Sequence, residues 1–268
     1  MKNSVNLTLY ELLLNENHKY SCPVASNRSL ALFLGMLQKT EILFEGSYQY
    51  SQAGANFSQE DFKLIKLIES NSYHHFAEIT SRIENGEFLK ILVHIEMNQY
   101  FYPTFVRIEK SIGDKRTEEI FKIDTANLEL KYTFTNSAST QEFARAVNSK
   151  HYIPTPAISS LGYFTLSKKF DATGRTPVII LSTENEWDYI GPPTEKIIYA
   201  EFKTMDVSGF KIDGSTLQAS HLCLYESDSP KAGQDSPVEL FLSKHYAIPY
   251  RLIQDDLRIQ ILHLKKAN

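Results

Sequence analysis

From Thr40 onward the chain alternates apolar and polar residues with a period of two, which places successive side chains on opposite faces of a strand. Ile42–Ser51 begins the series. Tyr73–Glu84 and Glu87–Asn98 flank Asn85-Gly86, a dipeptide that tolerates the positive φ angles of a tight hairpin turn, so an antiparallel pair is predicted there. Pro103–Ser111, Thr117–Asp124 and Leu128–Thr135 continue the pattern, with Gly113-Asp114 and Thr125-Ala126-Asn127 as turns. Short strands joined by short turns form a meander and not a βαβ repeat. Before Thr40, Leu7–Leu14 and Ser29–Gln38 are too densely apolar for alternation and suit short helices or buried segments.

The alternation stops at Asn136-Ser137-Ala138-Ser139-Thr140. Ser139 or Thr140 can cap a helix over Gln141–Asn148, and Pro154-Thr155-Pro156 then interrupts it. A further helical turn or two is predicted over Ala157–Lys168. Strands resume as Pro177–Thr183, Lys196–Lys203, Leu217–Glu226, Val238–Ser243, Ile248–Gln254 and Leu257–Leu264. The turns between them are Gly191-Pro192-Pro193, Asp213-Gly214, a Ser/Pro/Gly-rich loop over Asp228–Ser236, and Asp255-Asp256.

Two strands show which face is core. In Glu87–Asn98 one face reads Leu89, Ile91, Val93, Ile95, Met97; the other carries Phe88, Lys90, Leu92, His94, Glu96 and Asn98. Leu128, Leu130, Tyr132 and Phe134 form an apolar face opposite Glu129, Lys131 and Thr133. Sheets with one packed and one wet face, about a dozen strands and little helix predict a mainly β, antiparallel, strongly curved sheet. Its form is a barrel or half-barrel, lipocalin-like or lipoprotein-carrier-like, with short helices at the N-terminus and in the central connector. A single domain spanning residues 1–268 is expected, built from two halves at about 40–135 and 175–265 and joined by a connector at 136–170.

Composition changes this picture little. The chain has 268 residues, 42% of them hydrophobic and 22% charged, which is globular and not disordered. Twenty-eight basic against 32 acidic residues give a net charge of −4 without a long block of one sign, so no nucleic-acid partner is expected. The N-terminus lacks a sustained apolar run with a small-residue cleavage site, and no stretch reaches the length of a membrane span. A cytoplasmic location without stable membrane insertion is therefore expected; a leader removed beforehand would leave the same picture. Cys22 and Cys223 lie in no zinc-like spacing and are read first as two free core thiols, with a single long-range disulfide in an oxidising compartment as the alternative. A homodimer is compatible with these features.

The second half resembles the β-rich carriers of the bacterial lipoprotein-localisation group. The resemblance rests on Ile212-Asp213-Gly214-Ser215-Thr216-Leu217-Gln218-Ala219, on Val238-Glu239-Leu240-Phe241-Leu242-Ser243, and on Ile248-Pro249-Tyr250-Arg251-Leu252 before the closing strand. It implies a curved half-barrel around an apolar ligand cavity. It implies no functional residue.

Phosphate-binding glycine loops, a nucleophile elbow, a zincin helix and a calcium loop are all missing from the sequence, so no cofactor and no metal are expected. His74-His75 point to opposite faces of a strand, one inward and one exposed, which is wrong for chelating one ion. His94 and Glu96 share a face, and imidazole beside carboxylate can move a proton near neutral pH. Tyr100 and Tyr102 can add phenol donors there, and Arg107 on the next strand can hold an anionic group. Trp187 and Tyr189 lie in an acidic loop, Glu184-Asn185-Glu186-Trp187-Asp188-Tyr189, suited to cover an apolar ligand at a barrel mouth. His245-Tyr246 and Tyr250-Arg251 can add polar groups, and Tyr163-Phe164 can plug a barrel end. The sharp assignments are thus His94, Glu96 and Tyr100 for catalysis, and Arg107, Tyr163, Trp187, Tyr189 and Tyr250 for ligand binding.

With 16 Phe and 15 Tyr among its residues, the chain is read first as a binder of a hydrophobic small molecule in a barrel cavity. A cofactor-independent cyclase, isomerase or dehydratase in the same cavity is the competing reading. An interaction module that recruits a partner strand to its sheet edges is the third.

Overall fold

The computed structural model describes residues 39–83, 86–147, 151–167, 170, 175–226 and 236–266. Its first eight strands are β1 (Thr40–Gln52), β2 (Ala55–Leu67), β3 (Ser72–Arg82), β4 (Phe88–Met97), β5 (Pro103–Ile112), β6 (Lys115–Asp124), β7 (Glu129–Asn136) and β8 (Thr140–Ala146). A 3-10 turn (Ile158–Ser160) and a one-turn helix α1 (Phe164–Ser167) follow. Then come β9 (Thr176–Ser182), β10 (Thr194–Ile212), β11 (Ser215–Tyr225), β12 (Val238–Ser243), β13 (Pro249–Gln254) and β14 (Leu257–Lys266).

All fourteen strands belong to one antiparallel sheet in the order β8-β7-β6-β5-β4-β3-β2-β1-β14-β13-β12-β11-β10-β9. Each half is a plain meander. The halves join where β14 returns beside β1, with Phe44 opposite Lys266 and Gln52 opposite Leu257. The sheet is open in hydrogen bonding but curls until its edges approach. Arg145 on β8 reaches Glu195 on β10 at 3.0 Å, and His151 Nε2 meets the same carboxylate at 3.0 Å. Tyr152 then bridges Ile180 of β9 in parallel, so the chain leaving one edge strand runs onto the other. The result is barrel-like.

The period-two reading of β4 holds residue by residue: Leu89, Ile91, Val93, Ile95 and Met97 are buried and their alternates half-buried or exposed. Gly86 adopts φ +86° in the β3–β4 hairpin, and Gly113, Asp213, Gly214 and Asp255 take positive φ in the expected turns. Three expectations are corrected. The predicted helix over Gln141–Asn148 is the edge strand β8; Gln, Glu, Ala and Arg favour helix in isolation, but pairing with β7 from Thr135–Thr140 to Glu129–Ala146 overrides that weak preference. β2 was not anticipated, because Glu60 occupies an inward position where alternation asks for a hydrophobe. His74 and His75 do point to opposite faces, yet both are buried. The segments predicted over Leu7–Leu14 and Ser29–Gln38 lie outside the described residues, as do Cys22 and Asn85. Cys223 is buried and has no disulfide partner among the described residues. Among the described residues no helix is long and apolar enough to cross a membrane.

Large side chains fill the interior. Tyr48, Tyr50, Phe121, Tyr132, Phe134, Tyr163 and Phe164 are among the largest that are fully buried. The connector, residues 151–167, passes through this interior, and Ala157, Ile158, Tyr163 and Phe164 belong to the same apolar cluster as the inner faces of the strands.

Candidate functional site

The connector is fixed to the sheet by a sealed polar cluster. Glu60 projects inward from β2 and is completely buried. Its carboxylate accepts hydrogen bonds from the backbone N–H groups of Ile158 at 2.9 Å and Ser159 at 3.1 Å. It also accepts very short bonds from the Tyr50 hydroxyl and the Ser159 hydroxyl. Ser159 Oγ lies 3.0 Å from His75 Nε2, and the Tyr163 hydroxyl lies 2.9 Å from His75 Nδ1. When Glu60 is ionised, the single Ser159 proton is donated to it, so His75 is the donor at Nε2 and accepts from Tyr163 at Nδ1.

Burial dominates the electrostatics. It pushes the Glu60 carboxyl up to about 7, against the opposing pull of its hydrogen bonds from Ser159 and Tyr50. Burial also drives the His75 imidazole down to about 3, with the His94 charge adding to the effect. Serine, histidine and glutamate are the residue types of a hydrolase triad, but the order is wrong. Here serine sits between the acid and the imidazole and gives its proton to the acid, so nothing activates it as a nucleophile. All three side chains are out of contact with water. The cluster is an anchor that holds a proton near neutral pH.

A second buried network ties the loop at 183–191 to the opposite wall. Lys110 Nζ donates to the Asn185 carbonyl at 3.3 Å and lies 3.6 Å from Glu119. Glu119 also accepts from Tyr132 at 2.9 Å and Thr183 at 2.7 Å, and Asn185 Nδ2 donates to the Tyr132 hydroxyl at 2.7 Å. Trp187 and Tyr189 therefore pack at the inner ends of β6 and β7: the Trp187 carbonyl accepts from Asn136, and the Tyr189 ring is 5.9 Å from Phe134.

Between the connector and β9–β12 lies a pocket lined by Tyr152, Leu161 and Phe164 on one side and Ile180, Ile198, Leu224 and Val238 on the other. Its volume, about 30 Å³, is on the scale of one water. Of the hydroxyl-bearing residues in its lining, Tyr152, Thr155 and Ser160, the last two bond to each other at 2.9 Å.

The residues singled out in the sequence are dispersed around this interior. Tyr163 is buried in the Glu60 cluster. Tyr250 is buried beside Phe210, whose ring also lies under the Arg251 guanidinium. Tyr246 packs edge-on against Phe44, and His245 is exposed. Arg107, expected to hold an anion, is already engaged by Glu118 and by Glu109 at 3.1 Å. His94 and Glu96 do share a face, 3.9 Å apart, but it is the outer face of β4, and Tyr100 is 61% exposed in the following turn. His94 is wedged among Phe76, Phe105 and His74, and this burial lowers its imidazole to about 4. Glu60 and Ser159 went unremarked in the sequence; the one signal was a carboxylate at a core position of a strand-like run.

No protein-family profile matches the chain, and no curated protein matches it by sequence. Among solved structures it is similar to a beta-barrel-like protein of the domain of unknown function DUF1849 from Brucella abortus. The TM-score is 0.54 at 8% sequence identity, covering 85% of this chain and 98% of that one. At such low identity the likeness shows the fold alone, a β-barrel-like sheet.

Proposed function

We propose that the protein binds an apolar small molecule or acyl chain between the connector and the inner faces of β9–β12. The observation that supports this reading most is the chemistry of that pocket. Its walls are mostly hydrocarbon, and the Thr155 and Ser160 hydroxyls among them satisfy each other, so a ligand entering there meets chiefly apolar surface. One wall is a segment whose backbone pairs with the sheet through the Tyr152 bridge; it is otherwise held by hydrogen bonds at Glu60, between Tyr163 and His75, between His151 and Glu195 and from Tyr102 to the Ser167 carbonyl, and by apolar packing. Displacing that wall costs those contacts but leaves the fourteen-strand ladder intact. At about 30 Å³ the pocket admits no acyl chain until the connector shifts. The reading is that of a carrier or sensor whose plug is displaced by its cargo. Catalysis through His94 and Glu96 draws no support from the geometry, since they face away from the interior.

Native mass spectrometry of freshly purified protein tests the proposal, together with titration of a fluorescent fatty acid into wild type and Leu161→Trp. A retained apolar adduct, or saturable probe binding weakened in Leu161→Trp, supports it. No adduct and no saturable binding would sink it.

A further inference from the structure

On the outer face, away from the ligand pocket, the pairing of β3 with β4 assembles a second constellation. His94 and Glu96 lie two residues apart on β4, and His74 of β3 stands directly opposite Glu96. His74 Nδ1 is 3.1 Å from His94 Nε2, and that nitrogen is 3.9 Å from Glu96 Oε1; the three donor atoms all lie within 4.8 Å of one another. We infer that His74, His94 and Glu96 form a binding site for a divalent first-row transition metal, zinc foremost, with its remaining coordination positions open to solvent.

The spacing supports this directly. A tetrahedral ion with metal–ligand bonds of about 2.0–2.1 Å holds its donors about 3.3 Å apart, and the observed separations bracket that value. Two imidazoles and one carboxylate suit zinc, cobalt, nickel and copper and suit magnesium or calcium poorly. The ligands are also positioned before any ion arrives. The His94 ring is stacked on Phe76 with centroids 4.4 Å apart and 10° between planes, and it contacts His74 and Phe105 as well. The β3–β4 ladder runs through the site without a register shift. The cation facing the cluster, Arg107 opposite His94 on β5, has its charge met by Glu118 and Glu109. Exposure grades from buried His74 to Glu96, whose side chain is 41% exposed, so an ion can enter from the carboxylate side.

The competing account of the 3.1 Å contact is a plain imidazole–imidazole hydrogen bond, which would hold no ion. Untagged, chelator-treated full-length protein titrated with Co(II) separates the two. The site predicts one equivalent bound with a visible d–d band that Zn(II) displaces. His94→Gln is expected to lower affinity by about a hundredfold and Glu96→Gln by about tenfold, since loss of a ligand costs at least what loss of its supporting partner does. Both side chains are partly exposed, so circular dichroism should show both variants folded. No saturable uptake by wild type, or uptake unchanged in both variants, overturns the inference.

Discussion

The Glu60 carboxylate accepts the backbone N–H of Ser159 at 3.1 Å across a separation of 99 positions, joining the middle of β2 to the start of the connector's 3-10 turn. With Ile158 N–H, the Ser159 hydroxyl and the Tyr50 hydroxyl it makes four hydrogen bonds in a space without water. Such bonds are strong when complete and expensive when broken. This one carboxylate therefore controls how firmly the plug sits in the barrel.

Folding raises the Glu60 carboxyl from 4.5 to about 7, so the folded state binds a proton that the unfolded state has lost. The stabilisation this group supplies is fully present below about pH 4.5 and is lost as pH rises through about 7. Burial holds Tyr48 and Tyr163 above this window and His75 below it, so none of the three changes charge between pH 4.5 and 7 in either wild type or a Glu60→Gln variant. Urea unfolding at a series of pH values should show the stability of wild type relative to Glu60→Gln falling by up to about 3 kcal/mol between pH 4.5 and 7. A pH-independent difference would mean that Glu60 is ionised throughout.

The reason Glu60 was invisible in the sequence is also why β2 was. Period two identifies a strand only when the inward positions are apolar, as in Leu89–Met97. At Ser58 and Glu60 they are polar; Ser58 is met by Thr80 and Ser81 on the next strand, and Glu60 by the connector about a hundred positions away. β8 failed for the opposite reason: Gln141-Glu142-Phe143-Ala144-Arg145-Ala146 carries a helical preference, and only the pairing of Phe143 with Tyr132 shows what wins. That His94 and Glu96 share a face was legible from spacing alone. That His74 joins them depends on the β3–β4 register, which alternation does not specify to the residue.

Gly162 marks where the connector passes closest to the β12–β13 turn. A Cβ there would lie 1.8 Å from the Ala247 carbonyl oxygen, an atom that cannot swing aside. Gly162→Ala should destabilise the fold by about 3 kcal/mol through forced separation of the two backbones. Gly191→Ala, where the added methyl meets nothing within 4 Å, should be neutral or slightly stabilising. Equal melting temperatures for the two variants would show that the connector does not pass so close.

Lys110 and Glu119 test the second anchor. Both side chains are about 5% exposed or less, and burial lowers the Lys110 ammonium from its ordinary value. Lys110→Met leaves the Glu119 charge buried without its cation and should cost about 3–5 kcal/mol. Adding Glu119→Gln removes that charge while keeping an acceptor for Tyr132 and Thr183, so the double variant should regain about half of the loss. Additive destabilisation in the cycle would show that the two groups do not interact.

Phe164 separates the apolar pocket from the rest of the core. Its ring is 2% exposed and packs edge-on against Tyr152 at 5.4 Å, with Phe170 beyond it at 6.3 Å. Phe164→Ala should cost about 3–5 kcal/mol, because the connector is pinned at Glu60 and at Gly162 and cannot fully collapse into the space. An apolar cavity that persists stays dry and takes up a small hydrocarbon. The variant should therefore recover part of its lost melting temperature on addition of benzene or a short alkane, while wild type, with about 30 Å³ available until the connector is displaced, should show a smaller shift. If hydrocarbon leaves the variant's melting temperature unchanged, the connector has closed onto the sheet; it is then a compliant segment, and the plug must move by bending instead of lifting as a unit.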